Sequence, residues 1–335
     1  MRHGPQTFSV PMSAPIGLAL KDPAWRRVLP LGLYVLLKGL DATVLKGLQS
    51  YGHSHSVLGE NPISFCNVFF FAQLAVGLTA LLPGRRDLAR ALPTLTPADR
   101  RLLGTHAFLG MFLGPLAYYQ ALQSLSVISQ TLLFAMVLPG AALLARWLLR
   151  ESLPRAFWLS LALIAAGLLL PQITRAAMGG GMDDLQGLAW GLVGVVAFSG
   201  AAVAGRSIAG RGWPVALSIG LGSTITALVF AVIALVLFGP HHFLLLQLWW
   251  VAGVILIYAI SLSLGSELAL RLAYRRCSVA TVALWGSLTI VVAIASAALL
   301  LAEPIHIATV AGIVLLLSGV WLGRRPNQSD PPPRR

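Results

Sequence analysis

The chain has 335 residues, of which 57% are apolar and only 10% are charged, and its mean hydropathy is +0.81. Because a soluble domain averages about 25% charged residues, this composition excludes an ordinary soluble protein and predicts a polytopic membrane protein. The net charge of +13 does not indicate nucleic-acid binding, because the basic residues lie in short segments between apolar runs, as membrane topology requires.

Ten segments of the chain have the roughly 20 apolar residues that a helix needs to cross a bilayer. These predicted spans, numbered 1 to 10, are residues 28–50, 61–83, 102–123, 127–149, 155–174, 186–206, 214–238, 246–270, 278–301 and 305–323. Residues 1–27 are a predicted cytoplasmic tail, since their prolines and lack of an apolar run argue against a signal peptide. Residues 324–335 are rich in Pro and Arg and form a second cytoplasmic tail, predicted to be disordered.

Part of the sequence occurs twice. Residues 116–170 align without a gap on residues 268–322, and the matches include a Ser-Val pair, a lone Glu and a Gly. Five predicted spans therefore lie in each half, in residues 28–174 and 186–323, and residues 175–185 form the linker. An odd number of spans per half forces the second half to insert upside down. The predicted fold is an all-α polytopic membrane protein with ten transmembrane helices in two inverted five-helix repeats.

The distribution of Lys and Arg predicts the orientation. With the N-terminus in the cytoplasm, 21 of the 24 Lys and Arg residues fall in cytoplasmic segments and only Arg175 falls outside. This is the positive-inside pattern, and it predicts that both termini are cytoplasmic. It also supports ten spans, because miscounting one helix would scramble the pattern after the error.

The repeated blocks contain the segments 121–127, 148–151 and 274–279 and the residues Gly167, Glu303 and Gly319, and Lys46 lies late in the first span. In these residues the sequence resembles the EamA-type permeases of the drug/metabolite transporter superfamily, which often have a Lys late in the first span. The resemblance implies export of amino acids or related metabolites. We therefore expect a secondary transporter of the bacterial inner membrane, which works by alternating access about a central site.

The first span contains three ionisable residues, Lys38, Asp41 and Lys46, which are candidate cavity residues. Such a group at a helix centre costs at least ~2.5–3.5 kcal/mol, so it usually faces a cavity or pairs inside the bundle. Lys38 and Asp41 are three residues apart and share a helix face. They either line a polar cavity or form a purely structural pair, and Lys46 can alternatively extend to the outer interface.

Spans 3, 4, 8 and 9 add polar and aromatic candidates at the interface of the two repeats, where such folds bind substrate. These predicted substrate-cavity residues are Tyr118, Tyr119, Gln130, Tyr258, Ser261, Thr281 and Trp285. Helix packing is the alternative for the hydroxyl groups, and an interfacial belt is the alternative for the two adjacent tyrosines. Glu267 is either a proton-coupling residue or an ion-pair partner of Arg271.

The remaining polar residues give weaker indications. Glu151 and Glu303 lie in equivalent turns, and we expect them to cap the helices that follow them. His241 and His242 lie in an external loop with no carboxylate or Cys cluster beside them, so they indicate a metal site only weakly. The sequence has no phosphate-binding loop, and we expect no cofactor.

These observations predict a transporter whose partners are a small-molecule substrate and the lipid bilayer, and they leave the oligomeric state open. Uptake or exchange of an anionic metabolite, bound by Lys38 and Lys46, is an alternative. An integral membrane enzyme that modifies lipids is another, although the sequence lacks the polar catalytic cluster near one interface that it needs.

Overall fold

The structure is a computed structural model, and it describes residues 24–57, 59–150, 153, 156–177, 184–209, 211–276 and 285–323. The described residues are helical and include no β-strand. Their α-helices are α1 (Ala24–Ser54), α2 (Phe65–Ala91), α3 (Pro97–Ala107), α4 (Gly114–Ser124), α5 (Val127–Phe134), α6 (Val137–Leu149), α7 (Phe157–Ala177), α8 (Leu185–Ala209), α9 (Gly222–Phe238), α10 (Trp249–Tyr258), α11 (Gly265–Arg276), α12 (Leu288–Leu300) and α13 (Ile307–Gly323).

Several of these helices continue into one another through π-helical turns. Phe108–Leu113 joins α3 to α4, Ala216–Leu221 leads into α9, and Ala259–Leu264 joins α10 to α11. The first and third π-helical turns lie 151 residues apart, one residue from the offset of the sequence repeat. The helices follow the predicted spans, and α1, α2, α3 and α11 extend farthest beyond the predicted boundaries.

Six helical segments of the described chain are long and apolar enough to cross a membrane. They are Phe65–Thr94, Val127–Leu149, Phe157–Thr174, Leu185–Ile208, Ala216–Phe238 and Trp249–Leu270. α12 and α13 are apolar but shorter, and residues 277–284 before α12 lie outside the described residues. α1 has 31 residues, and its ionisable side chains make it less apolar than these six segments. The chain is therefore a multi-pass membrane protein.

The helices form two bundles, and each bundle takes helices from both halves of the chain. In the first bundle, which consists of α1, α10, α11 and α12, α1 packs along α11 and α12. In the second bundle, which consists of α3, α4, α5, α6 and α8, α8 packs along α4 and α6. Span 1 thus packs on spans 8 and 9, and span 6 packs on spans 3 and 4. Since spans 1, 3 and 4 are the repeat equivalents of spans 6, 8 and 9, the two bundles are equivalent to each other.

The pair α7 and α13 packs closely through small residues. A Cβ atom added to Gly167 would lie 2.5 Å from the Gly312 carbonyl oxygen, and Ser160 Oγ donates to the Gly319 carbonyl oxygen at 2.6 Å. The residue numbers fall along α7 while they rise along α13, so the two helices are antiparallel. Residues 160 and 312 are equivalent positions of the repeat, 152 apart, and so are residues 167 and 319. The repeat therefore exchanges the contact between 167 and 312 with the contact between 319 and 160.

The pair α2 and α9 is also antiparallel. Gly77 lies against Thr224, and Gly84 lies against Ala216, so that one helix again runs opposite to the other. Antiparallel packing of corresponding helices is the relation that an inverted repeat requires.

The two ends of the molecule differ in charge. The end that holds the α2–α3 and α8–α9 connections and the ends of α6 and α11 is called here the arginine-rich end. Its described arginines include Arg85, Arg86, Arg90, Arg100, Arg101, Arg146, Arg150, Arg206, Arg211, Arg271, Arg275 and Arg276. The opposite end, called the arginine-poor end, holds the connections that follow α1, α4, α9 and α12. An aromatic core near the arginine-poor end contains Phe65, Phe69, Tyr119 and Phe230, with neighbouring ring centroids 5.2–6.5 Å apart.

Candidate functional site

A network of three polar side chains lies in the middle of the first bundle. Lys38 Nζ donates to Asp41 Oδ2 at 2.8 Å, and the Tyr258 hydroxyl donates to Asp41 Oδ1 at 2.7 Å. Asp41 and Tyr258 are buried, with 8% and 7% of their surfaces exposed. Each carboxylate oxygen of Asp41 therefore has one donor and keeps a second lone pair for another donor. The network joins α1 to the end of α10, just before the π-helical turn.

Lys38 lies among polar side chains of both bundles. It is within electrostatic range of Tyr34 and Tyr118 as well as Asp41. Nevertheless, 50% of its side-chain surface is accessible. A lysine on a lipid-facing surface would lack these polar neighbours, and a lysine packed in a core would lack the accessibility. Lys38 thus lies on the side of α1 that faces the second bundle, to which Tyr118 belongs.

The second bundle contributes two of the predicted residues to the same region. Gln130 is fully buried, and its Nε2 donates to the Tyr118 carbonyl oxygen at 3.1 Å. Gln130 Oε1 has no hydrogen-bond partner among the described residues. Tyr118 is half-buried and lies within electrostatic range of Lys38 and Asp41. The structure therefore brings five of the predicted cavity residues together at the interface of the bundles.

Other predicted cavity residues lie elsewhere. Tyr119 is only 1% exposed, and its hydroxyl donates to the Ile63 carbonyl oxygen at 2.5 Å, so it belongs to the core and not to an interfacial belt. Ser261 is exposed, and its hydroxyl donates to the carbonyl oxygen of Ile257 in its own helix. Trp285 is 40% exposed, and Thr281 lies outside the described residues.

Glu267 lies near the arginine-rich end, on an exposed part of α11. It is within electrostatic range of His106 on α3, which belongs to the second bundle. The side chain of Arg271, its predicted ion-pair partner, is outside the described part of the structure.

Comparison with known proteins agrees with this architecture. Residues 53–171 match the model of the EamA-like transporter family. An uncharacterized transporter of Synechocystis sp. is 27% identical over 337 residues, which cover 96% of this chain and 90% of that protein. The chain is therefore similar to EamA-like transporters over residues 53–171 and to that transporter over most of its length. A protein of known crystal structure is 18% identical, and the match covers 89% of this chain and 95% of that protein's chain with a TM-score of 0.55. This similarity supports the fold alone.

Lys46, on α1, binds the end of a helix. Its Nζ donates to the carbonyl oxygens of Leu122, Gln123 and Leu125, the latter two at 3.1 Å, so all three of its N–H donors have partners. These carbonyls lie at the C-terminus of α4, where a cation is favoured by the helix dipole. A cavity role for Lys46 stays a prediction, although its donors are already occupied.

Glu303 caps a different helix from the one expected. Instead of the following helix α13, it binds the start of α5: its carboxylate accepts from Val127 N at 2.7 Å and Ile128 N at 3.1 Å. The expectation failed because the turn after α12 lies beside the N-terminus of α5, a contact over 176 residues that sequence order does not indicate. Glu151 lies outside the described residues.

Glu60 forms a polar cluster that the sequence analysis missed. Glu60 Oε1 lies 2.8 Å from His241 Nε2, Glu60 Oε2 lies 2.5 Å from His242 Nδ1, and His242 Nε2 lies 2.8 Å from Ser64 Oγ. Hydrogen bonding from His242, opposed in part by burial, lowers the pKa of Glu60 from its ordinary value of 4.5. His242 is fully buried and stacks on Phe238 with ring centroids 4.2 Å apart.

The sequence signal for this cluster is Glu60, a carboxylate in the loop between α1 and α2. This loop lies at the same end of the molecule as His241, although the two residues are 181 positions apart. The described residues include no group of three His, Cys, Asp or Glu side chains arranged to hold a metal ion. The cluster therefore connects the α1–α2 loop with the Pro240–Gln247 segment as a set of hydrogen bonds.

Proposed function

We propose that the protein is an EamA-like secondary transporter that exports amino acids or related small metabolites by alternating access. The observation that carries the proposal is the Lys38–Asp41–Tyr258 network, which combines a buried anion with a cation whose side chain is half accessible. Lys38 needs only one of its three N–H donors for Asp41. A free carboxylate group can therefore bind Lys38 while a substrate ammonium group binds the remaining lone pairs of Asp41.

The proposed architecture is ten transmembrane helices in two inverted repeats, residues 28–174 and 186–323, joined by a linker at 175–185 and flanked by the tails 1–27 and 324–335. The antiparallel pairs α2·α9 and α7·α13 support this arrangement. These pairs would form the frame, and the two bundles would rock against each other about the central site.

We further propose a location in the bacterial inner membrane with both termini in the cytoplasm. The positive-inside rule supports this orientation, because it puts the arginine-rich end in the cytoplasm. The helix of the second bundle that contacts α12 most is α5 and not α6. Because α5 begins at the arginine-poor end, the bundles meet toward that end. A central site that opens to the cytoplasm would load its substrate there, which favours export.

Uptake or exchange of an anionic metabolite is the second candidate, and the accessible ammonium group of Lys38 favours it. The two candidates differ in what they need from Asp41. An anion bound by Lys38 alone would be helped by removal of the neighbouring negative charge, whereas an amino acid would lose the partner of its ammonium group.

Transport by purified protein in liposomes tests the proposal, with a panel of labelled amino acids and organic anions. We expect one or more amino acids to be transported, and Lys38→Ala and Asp41→Ala each to abolish transport while the protein still inserts. Thr79→Ala is the matched control, because the exposed Thr79 bonds only to the Ala75 carbonyl oxygen of its own helix. Anion transport that survives Asp41→Ala would favour the second candidate, and full activity of both variants would contradict the central site.

A further inference from the structure

Two side chains of α1 and one from the turn after α12 bind the backbone of the second bundle at the arginine-poor end. Lys46 binds carbonyl oxygens and Glu303 binds amide groups at the corner between α4 and α5, which consists of residues 122–128. Beside them, Gln49 Nε2 donates to the Tyr119 carbonyl oxygen at 3.1 Å. All three contacts therefore converge on one short segment of the opposite bundle.

The charges of the two ionised groups fit the corner. The carbonyl groups at the end of α4 carry partial negative charge and receive the ammonium group of Lys46. The amide groups at the start of α5 carry partial positive charge and receive the carboxylate of Glu303. Lys46 and Glu303 also lie within electrostatic range of each other. Together they neutralise both helix ends and each other at the point where the bundles meet.

The backbone near Glu303 indicates that its position is constrained. Ala302 has a φ of 53°, a left-handed conformation that residues with a Cβ adopt rarely. Such a conformation persists only where surrounding contacts maintain it, and it occurs often at switch regions. The bonds from Glu303 to Val127 and Ile128 are contacts of this kind.

We propose that Lys46 and Glu303 form the gate that closes the central site toward the arginine-poor end. The proposal rests on the alternating-access transport proposed above, which requires the bundles to separate at this end in half of the cycle. Because the contacts reach one corner of α4 and α5, a single movement of that corner releases them together. Removal of both charged groups should therefore favour the state that is open at the arginine-poor end.

Distance measurements between spin labels test the gate without any transport assay. The labels are attached at Ser50→Cys on α1 and Ser124→Cys on α4, two exposed positions on opposite bundles at the arginine-poor end, in a background with Cys66→Ala and Cys277→Ala. With Lys46→Met and Glu303→Gln, electron paramagnetic resonance should detect a second, longer distance population. Without these changes the shorter distance should dominate.

Two further variants separate gating from general damage. Asp184→Asn is the matched control, because Asp184 also caps a helix at the same end but bonds to Gln186 N within its own segment. It should leave the distances unchanged. Val127→Pro removes one amide that Glu303 binds, and Pro is favoured at this first helical position after the extended Ser126. It should produce the longer population while α5 stays intact.

The outcomes distinguish failure of the gate from failure of the proposed transport. An unchanged Ser50–Ser124 distance in both the double variant and Val127→Pro would overturn the gate. A second label pair, Thr105→Cys and Leu268→Cys, reports the arginine-rich end. If the first pair separates while the second pair moves closer, the gate and alternating access are both supported. If only the first pair moves, the gate stands and rocking of the bundles is contradicted.

Discussion

Tyr258 and Tyr119 are both buried tyrosines whose hydroxyl groups donate one hydrogen bond, yet their acceptors differ. Tyr258 donates to the Asp41 carboxylate in the central site, and Tyr119 donates to the Ile63 carbonyl oxygen in the aromatic core. A hydrogen bond to a charged group contributes about 1.5–3 kcal/mol, more than a bond between neutral groups. The two residues therefore offer a direct comparison of a site role with a packing role.

We expect Tyr258→Phe to weaken apparent substrate affinity by roughly tenfold or more, because Asp41 loses one of the donors that orient it. We expect Tyr119→Phe to lower the melting temperature and to leave the apparent affinity unchanged. Transport kinetics in liposomes and thermal unfolding in detergent measure the two effects. The assignment of the site would be wrong if Tyr119→Phe changed the affinity and Tyr258→Phe changed only the melting temperature.

Glu60 gives the protein an acid-sensitive contact at the arginine-poor end. Hydrogen bonding to His242 and His241 lowers the pKa of Glu60, so the folded state holds the ionised carboxylate more strongly than the unfolded state does. The stability from this contact is therefore complete above the ordinary value of 4.5. It is lost as the pH falls from there through the lower pKa of the folded state.

We expect the melting temperature of the wild-type protein to fall as the pH is lowered below 4.5. Glu60→Gln should unfold at a lower temperature at neutral pH, with a loss of about 1–3 kcal/mol, and should lose less on acidification. Thermal unfolding measured across this pH range checks the prediction. An equal acid dependence in the two proteins would show that other groups cause it.

At the scale of the elements, close packing of small residues holds α7 against α13. A Cβ atom at Gly167 would lie 2.5 Å from the Gly312 carbonyl oxygen, a backbone atom that cannot move without the helix. Gly104 in α3, by contrast, has no atom within 4 Å of an added Cβ, and Ala is favoured over Gly in a helix by roughly 0.5–1 kcal/mol.

We therefore expect Gly167→Ala and Gly104→Ala to have opposite effects on stability. Gly167→Ala should lower the melting temperature because the two helices must move apart, and Gly104→Ala should leave it unchanged or raise it slightly. Thermal unfolding of the two variants in the same detergent makes the comparison. A neutral Gly167→Ala would mean that α7 and α13 are held together by other contacts.

The sequence was sufficient to predict the positions of the helices and one pair of residues in the proposed central site. Apolar length predicts where helices lie, and the spacing of Lys38 and Asp41 on one face predicts their pair, because both are local properties. The third partner, Tyr258, comes from a helix 217 residues away, and the bond of Glu303 to α5 spans 176 residues. Such contacts depend on how the halves pack, which local spacing does not determine.

The π-helical turns were not predictable for a related reason. A π-helical turn adds one residue to an α-helix and changes which side chains face the same way beyond it. Ala259–Leu264 begins directly after Tyr258, so the hydrophobic period of span 8 does not reveal how Tyr258 and Ser261 are directed. This explains why Tyr258 bonds to Asp41 while Ser261 bonds to its own helix.

At the scale of the whole molecule, the proposed gate and the proposed export direction both depend on the orientation in the membrane. The charge pattern predicts that the arginine-rich end is cytoplasmic. Labelling of single cysteines by an impermeant thiol reagent tests it, but the position must be accessible in the folded protein. His242 is unsuitable, because it is fully buried and bonds to Glu60 and Ser64.

Ser56 and Thr94 are better positions, since both are exposed, one at the arginine-poor end and one at the arginine-rich end. In a background with Cys66→Ala and Cys277→Ala, we expect Ser56→Cys to react in intact cells and Thr94→Cys to react only after the membrane is permeabilised. A reagent that crosses the membrane should label both and so confirm that each thiol is accessible. Labelling of Thr94→Cys but not Ser56→Cys in intact cells would reverse the orientation, and the central site would then open to the outside, which favours uptake over export.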